Sequence, residues 1–314
     1  MPFNSITRRF YPAKSTTLIL LLLLSGLTAC ASLDDSYDYD VVIRGGTIYD
    51  GTGEPGYQAD IAVQDDRIVT IGAVSGTAAR EIDATGLAVA PGFINMLSWA
   101  TESLVIDGRS QSDIRQGITL EVFGEGSSEG PFNASMKAEI EANDGFGGVD
   151  ISWTTLGEYL EFLQDRGVAT NIASFVGATT VRIHELGYDD RAPTTIELQR
   201  MQQLVRTAME EGAMGLGSSL IYAPAFYAST EELVALAQVV GEYDGMYISH
   251  LRSEGNRLLE SIDELIHIAE QADIPAEIYH LKMAGQQNWS KFTEVVDKVE
   301  SARAEGLAIS ANIY

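Results

Sequence analysis

Two histidines carry the first chemical signal. His250 and His280 each fall in a short apolar run, residues 246–250 and 276–282, with a stretch of helical periodicity, Leu258–Ala272, between them. Runs this short and apolar read as buried parallel strands, and in a barrel of alternating strands and helices the neighbouring strand ends converge on one face. Two imidazoles meeting there can share a divalent ion, and zinc suits such a pair best. Lys282, two residues beyond His280, points to the same side of its strand. Arg252 lies in the loop two residues after His250. The other two histidines fall elsewhere. His267 sits inside the amphipathic stretch, which gives it a helical role, and His184 sits in the loop after an earlier strand-like run.

Periodicity also shows the elements that must position these groups. Apolar runs at 89–95, 118–123, 171–176, 215–220, 246–250, 276–282 and 308–314 alternate with helical patterns, the mark of a parallel α/β sheet or barrel. Seven runs are one short of the eight strands that close a (β/α)8 barrel, so the fold class is α/β with an incomplete TIM-type barrel. Residues 195–211 show helical spacing, and Ser229-Thr230-Glu231-Glu232 predicts a capping box ahead of residues 233–243. Gly212, Gly245 and Gly306 predict left-handed helix ends. Before residue 89 the rhythm differs: short alternating runs separated by turn glycines predict a small antiparallel β module. The domain reading is therefore the N-terminal part of a β-sandwich over 41–88 and a partial barrel over 89–314.

The 314 residues include 45 acidic and 20 basic side chains, for a net charge of −25, with 45% hydrophobic residues. Such a chain has ample core material, and its acidity argues against nucleic acid as a partner. At the N-terminus, Arg8, Arg9 and Lys14 precede an apolar run from Leu18 to Leu24, followed by Leu27-Thr28-Ala29-Cys30. A charged region, an apolar core and a small-residue cleavage site make an export signal, and the run is too short to span roughly 30 Å of hydrocarbon. The segment resembles a lipoprotein signal peptide. That resemblance implies removal of residues 1–29, a lipid on Cys30, a flexible tether over 30–40, and anchoring to the bacterial cell envelope facing the periplasm. Cys30 is the only cysteine, so no intramolecular disulfide can form.

Longer motifs suggest a family. Gly45-Gly46-Thr47-Ile48-Tyr49-Asp50-Gly51 followed by Ala90-Pro91-Gly92-Phe93-Ile94 resembles the entry to the amidohydrolase superfamily, in which a β-sandwich leads into a metal-dependent hydrolase barrel. Ser218-Ser219-Leu220-Ile221-Tyr222-Ala223-Pro224, Ile248-Ser249-His250-Leu251-Arg252-Ser253-Glu254-Gly255 and His280-Leu281-Lys282-Met283-Ala284-Gly285 resemble the N-acyl-D-amino-acid deacylase (D-aminoacylase) branch. The match runs over about residues 40–314. It implies zinc-dependent hydrolysis of a linear amide in an acylated amino acid, with His250 and His280 as metal ligands. The family completes its zinc site with a cysteine after the second strand; here that loop reads Gly124-Glu125-Gly126-Ser127, and Glu125 is the substitute, because carboxylate oxygen also ligates zinc. The resemblance further implies that Lys282 and Arg252 hold the substrate carboxylate and that Tyr314 polarises the scissile carbonyl.

The sequence departs from the family at two places. Where members carry His-x-His after the first barrel strand, this chain has Leu97-Ser98-Trp99, and neither leucine nor indole ligates zinc, so one ion is expected rather than two. The family's general-base aspartate follows an eighth strand, beyond Tyr314, so residues 1–314 alone are expected to be inactive. Two rival readings remain. A non-catalytic binding lipoprotein built on the same barrel fits Leu97 and Trp99. A dihydropyrimidinase-like ring opening needs a bridging lysine, for which only Lys282 offers itself.

Overall fold

The computed structural model describes residues 37–143 and 145–313, so Cys30, the leader before it and Tyr314 lie outside the described residues. The chain divides into two compact units, 1–90 and 91–314. No helix among the described residues is long and apolar enough to cross a membrane.

The first unit is a five-stranded sheet of β1 (Tyr39–Ile48), β2 (Tyr57–Gln64), β3 (Arg67–Gly72), β4 (Ala78–Asp83) and β5 (Ala88–Val89). Its order is β3-β2-β1-β4, with β5 also on β1. Meander pairing β1-β2-β3 is antiparallel as the turn spacing predicts, but β4 and β5 run parallel to β1, so the sheet is mixed. A bulge between Ile43 and Gly46 shifts the register, and there Gly45 takes φ +66° while its N–H donates to Asp60 Oδ1 at 2.8 Å. Val89 pairs with Ile48 in this sheet. It therefore does not belong to the first strand of the second unit, as the run 89–95 had suggested.

In the second unit, β6 (Phe93–Asn95), α1 (Thr101–Ile106), α2 (Gln111–Ile114) and β7 (Ile118–Phe123) come first, followed by α3 (Ala134–Ala142), α4 (Leu156–Arg166), β8 (Asn171–Ser174) and β9 (Val176–Gly177). Then α5 (Ala178–Leu186), α6 (Thr195–Glu210), β10 (Gly215–Ser219), α7 (Thr230–Gly241), β11 (Met246–His250), α8 (Leu258–Ala272), β12 (Ala276–Ile278), α9 (Phe292–Ala304) and β13 (Ile309–Ala311) alternate. The named strands pair parallel, in the orders β6-β7-β8 and β9-β10-β11-β12-β13. Phe175 alone separates β8 from β9. The Tyr279 hydroxyl donates to the Met96 carbonyl at 2.8 Å, bringing the end of β12 against the end of β6.

Alternation along the strands sorts side chains onto two faces. Tyr247 packs outward with Leu236, Ile262 and Leu265 from the helices, whereas Ile248 packs inward with Val122, Phe175 and Tyr279. His250, two residues past Ile248, shares its inward side.

Helix ends show where local signals compete. Thr155 and Thr194 form full capping boxes with Glu158 and Glu197. At the predicted third box, Ser229 Oγ does accept from Glu232 N–H at 3.2 Å. The Glu232 carboxylate, however, turns to the buried Arg182 guanidinium at 2.6 Å instead of the cap backbone. Gly212 and Gly306 take positive φ as predicted, but after α7 the left-handed residue is Asp244, not Gly245.

Candidate metal centre

Three strand ends deliver the donors. His250 closes β11 directly. β12 stops at Ile278, and His280 adopts φ +40°, breaking the alternation that a strand through 282 would impose and holding its ring beside that of His250. The ring centroids are 4.4 Å apart at 79°. Glu125 follows β7 through Gly124, whose φ is +101° and whose Cβ, were there one, would lie 2.3 Å from the Phe175 carbonyl oxygen. Only glycine fits that turn, and the turn carries Glu125 inward.

Glu125, His250 and His280 are 6%, 7% and 4% exposed, and one donor atom from each lies within 4.8 Å of the others. His280 Nε2 is 2.6 Å from Glu125 Oε1, and His250 Nδ1 is 3.5 Å from the same oxygen. Burial pushes the Glu125 carboxyl pKa up, but hydrogen bonds and charge from His250 and His280 outweigh it and hold the group below its usual value. On the far side of the rings stands Glu254. Its Oε1 lies 3.0 Å from His280 Nδ1 and 3.4 Å from His250 Nε2, a buried atom with no hydrogen-bond partner. The Glu125–His250–His280 donor set, two imidazoles and a carboxylate, is a zinc-type set.

The three side chains open onto a cavity of about 730 Å³ whose wall includes Ile94, Met96, Leu97, Trp99 and Tyr222. Among the described residues, Glu125, His250 and His280 are the only carboxylate or imidazole groups lining it.

No family model matches the chain. It is 34% identical over 276 residues to a D-aminoacylase of Alcaligenes xylosoxydans xylosoxydans, across 87% of this chain and 57% of that protein. A solved D-aminoacylase, studied for its binuclear metal centre, superposes with a TM-score of 0.80 at 31% identity, over 88% of this chain and 58% of the other. An N-acyl-D-glutamate deacylase from Bordetella bronchiseptica, complexed with zinc and a phosphonate mimic of the tetrahedral intermediate, superposes at 0.79 with 29% identity, over 88% and 58%. The chain is a homologue of the D-aminoacylases. It spans about 57% of the length of the curated D-aminoacylase it matches.

The remaining predicted site residues of this D-aminoacylase homologue are placed unevenly. Lys282 is near the centre but off the cavity wall, its Nζ 2.6 Å from Glu254 Oε1 and 2.8 Å from His280 Nδ1. Arg252 does not line the cavity. Its guanidinium grips the Glu264 carboxylate at 2.9 Å and donates to the Phe226 and Ala228 carbonyls at 2.8 and 2.9 Å, so it ties the β10 loop to α8. His184 lies in the last turn of α5 rather than in a loop, beside Glu185 at 3.1 Å, and is not part of the cavity wall. His267 is an exposed residue of α8. Sequence reasoning missed Glu254 and Asn312, whose Oδ1 accepts from the His280 N–H at 2.7 Å and fixes the turn. Glu254 carried one usable signal, its position four residues after a strand-end histidine.

Proposed function

We propose that the protein hydrolyses the linear amide of an N-acyl-D-amino acid, using one zinc ion held by Glu125, His250 and His280. The observation that carries this reading is the convergence of those three buried donors on one cavity. The similarity to D-aminoacylase and the N-acyl-D-amino-acid deacylases supports the reaction class. Leu97 and Trp99 on the cavity wall support a single ion, since neither side chain can ligate. Such an ion supplies Lewis acidity for polarising an amide carbonyl and acidifying water.

In this reading the protein's own residues do the remaining work. Ile94, Met96, Leu97 and Trp99 line the cavity and limit water around the bound amide, which strengthens every charge interaction there. Lys282, its side chain about a third exposed, meets the substrate carboxylate as a point charge. Tyr314 donates toward the scissile carbonyl oxygen. The lipoprotein-like leader ending at Cys30 supports a location at the cell envelope, lipid-anchored and facing the periplasm.

Leu97 and Trp99 also favour a second reading, a binding protein that holds acylated amino acids without cleaving them. Acetate release from N-acetyl-D- and N-acetyl-L-amino acids, measured alongside zinc content, separates the two. D-selective release with close to one zinc per chain supports the hydrolase. Binding of the acylated amino acid with no release supports the second reading, and zinc content unaffected by His280→Ala contradicts the ligand assignment.

A further inference from the structure

We propose that Glu254 is a positioning residue for the metal centre: its carboxylate, beside His280 Nδ1, favours the tautomer protonated there, the one whose Nε2 can ligate. This rests on the reading of Glu125, His250 and His280 as ligands. A neutral imidazole carries one ring proton, so a ring that ligates through Nε2 must carry its proton on Nδ1. His280 Nε2 is the nitrogen that faces the Glu125 oxygen, 2.6 Å away, and Nδ1 faces Glu254 Oε1 at 3.0 Å. Carboxylates in this place orient ligating histidines and raise their basicity.

Lys282 completes the arrangement. Its ammonium lies 2.6 Å from Glu254 Oε1 and 3.2 Å from the His280 carbonyl oxygen, pinning the carboxylate against the ring. The ammonium is also 2.8 Å from Nδ1, where it can only donate. In the metal-free ring Lys282 at Nδ1 and the Glu125 carboxylate at Nε2 both favour a proton on Nε2, and Glu254 is the contact that favours a proton on Nδ1. Glu254 is itself half-buried, with a side chain 12% exposed, and its contacts with both rings and Lys282 set its orientation. It reaches His250 Nε2 as well, at 3.4 Å, and stands behind both rings on the side away from Glu125.

The test is zinc affinity of the full chain by chelator competition, for the parent, Glu254→Ala, Glu254→Gln and His250→Ala, with folding followed by circular dichroism. Glu254→Ala is expected to lose about 10- to 100-fold in affinity with its fold intact. Glu254→Gln, whose amide oxygen still accepts, is expected to lose less. Parent-like affinity in folded Glu254→Ala overturns the proposal. A parent that binds no better than His250→Ala instead sinks the ligand assignment itself. Nitrogen-15 histidine spectra of the zinc-loaded parent need no variant to fold and read the ligand assignment itself: a His280 proton on Nε2 overturns ligation through that atom and the proposal with it.

Discussion

His280 Nε2 lies 2.6 Å from Glu125 Oε1, although 155 residues separate the two in sequence. The contact joins the loops after β7 and β12, and it depends on two non-standard backbone turns, at Gly124 and at His280 itself. The stability and chemistry of the second unit can be tested from that contact outward.

Gly124→Ala tests the turn. Alanine at φ +101° is strained, and its Cβ would collide with the Phe175 carbonyl oxygen. A stability loss of about 2 kcal/mol or more is expected in chemical denaturation, together with weakened zinc binding as Glu125 is displaced. Full stability with full zinc affinity would show that the turn does not position Glu125.

Arg182 and Glu232 form a buried pair with side chains 1% and 4% exposed. Arg182→Met leaves the Glu232 carboxylate buried without its partner, and a loss of about 3–5 kcal/mol is expected from denaturant midpoints. Replacing both residues by apolar ones should recover much of that loss. A loss under about 1 kcal/mol in the single variant would mean that water replaces the guanidinium.

Much of this site was legible in the sequence. Strand-end spacing singled out His250 and His280, and the resemblance to the deacylases pointed to Glu125. Periodicity showed the strand–helix alternation behind the parallel pairings, but not the break between β8 and β9. What sequence did not show were choices settled by three-dimensional competition. Glu232 had a valid capping partner three residues back, yet the buried Arg182 took its carboxylate. Arg252 had the charge and the position to meet a substrate carboxylate, yet Glu264 and two carbonyls engage it. The apolar run 276–282 promised a strand, yet the backbone leaves extended geometry at His280, and the ring placement that follows cannot be read from alternation. The parallel placement of β4 and β5 on β1 is a long-range pairing that local turn signals do not encode.

Arg252→Ala tests that reassignment. A loss of about 1–3 kcal/mol in stability is expected, since Glu264 and two carbonyls lose their donor, while zinc affinity stays at the parent value. Loss of zinc affinity with unchanged stability would return Arg252 to the site.

Glu129 predicts a pH dependence. Burial pushes its carboxyl pKa up to about 7, with the Glu102 charge adding to the rise and a Thr101 hydrogen bond opposing it. Between its ordinary value and about 7, the folded chain holds a proton that the unfolded chain has released, so stability falls as pH rises through that window. Thermal melts of the parent at pH 5 and pH 8 are expected to differ more than those of Glu129→Gln, by on the order of 2 kcal/mol. Identical pH profiles would place Glu129 in water.

Zinc K-edge absorption on the loaded chain tests the central claim most directly. The account predicts two imidazole nitrogens and carboxylate oxygen at roughly 2.0–2.2 Å, with the zinc lost in Glu125→Ala, His250→Ala and His280→Ala alike. Zinc retained in all three variants, or a first shell without imidazole, would contradict it.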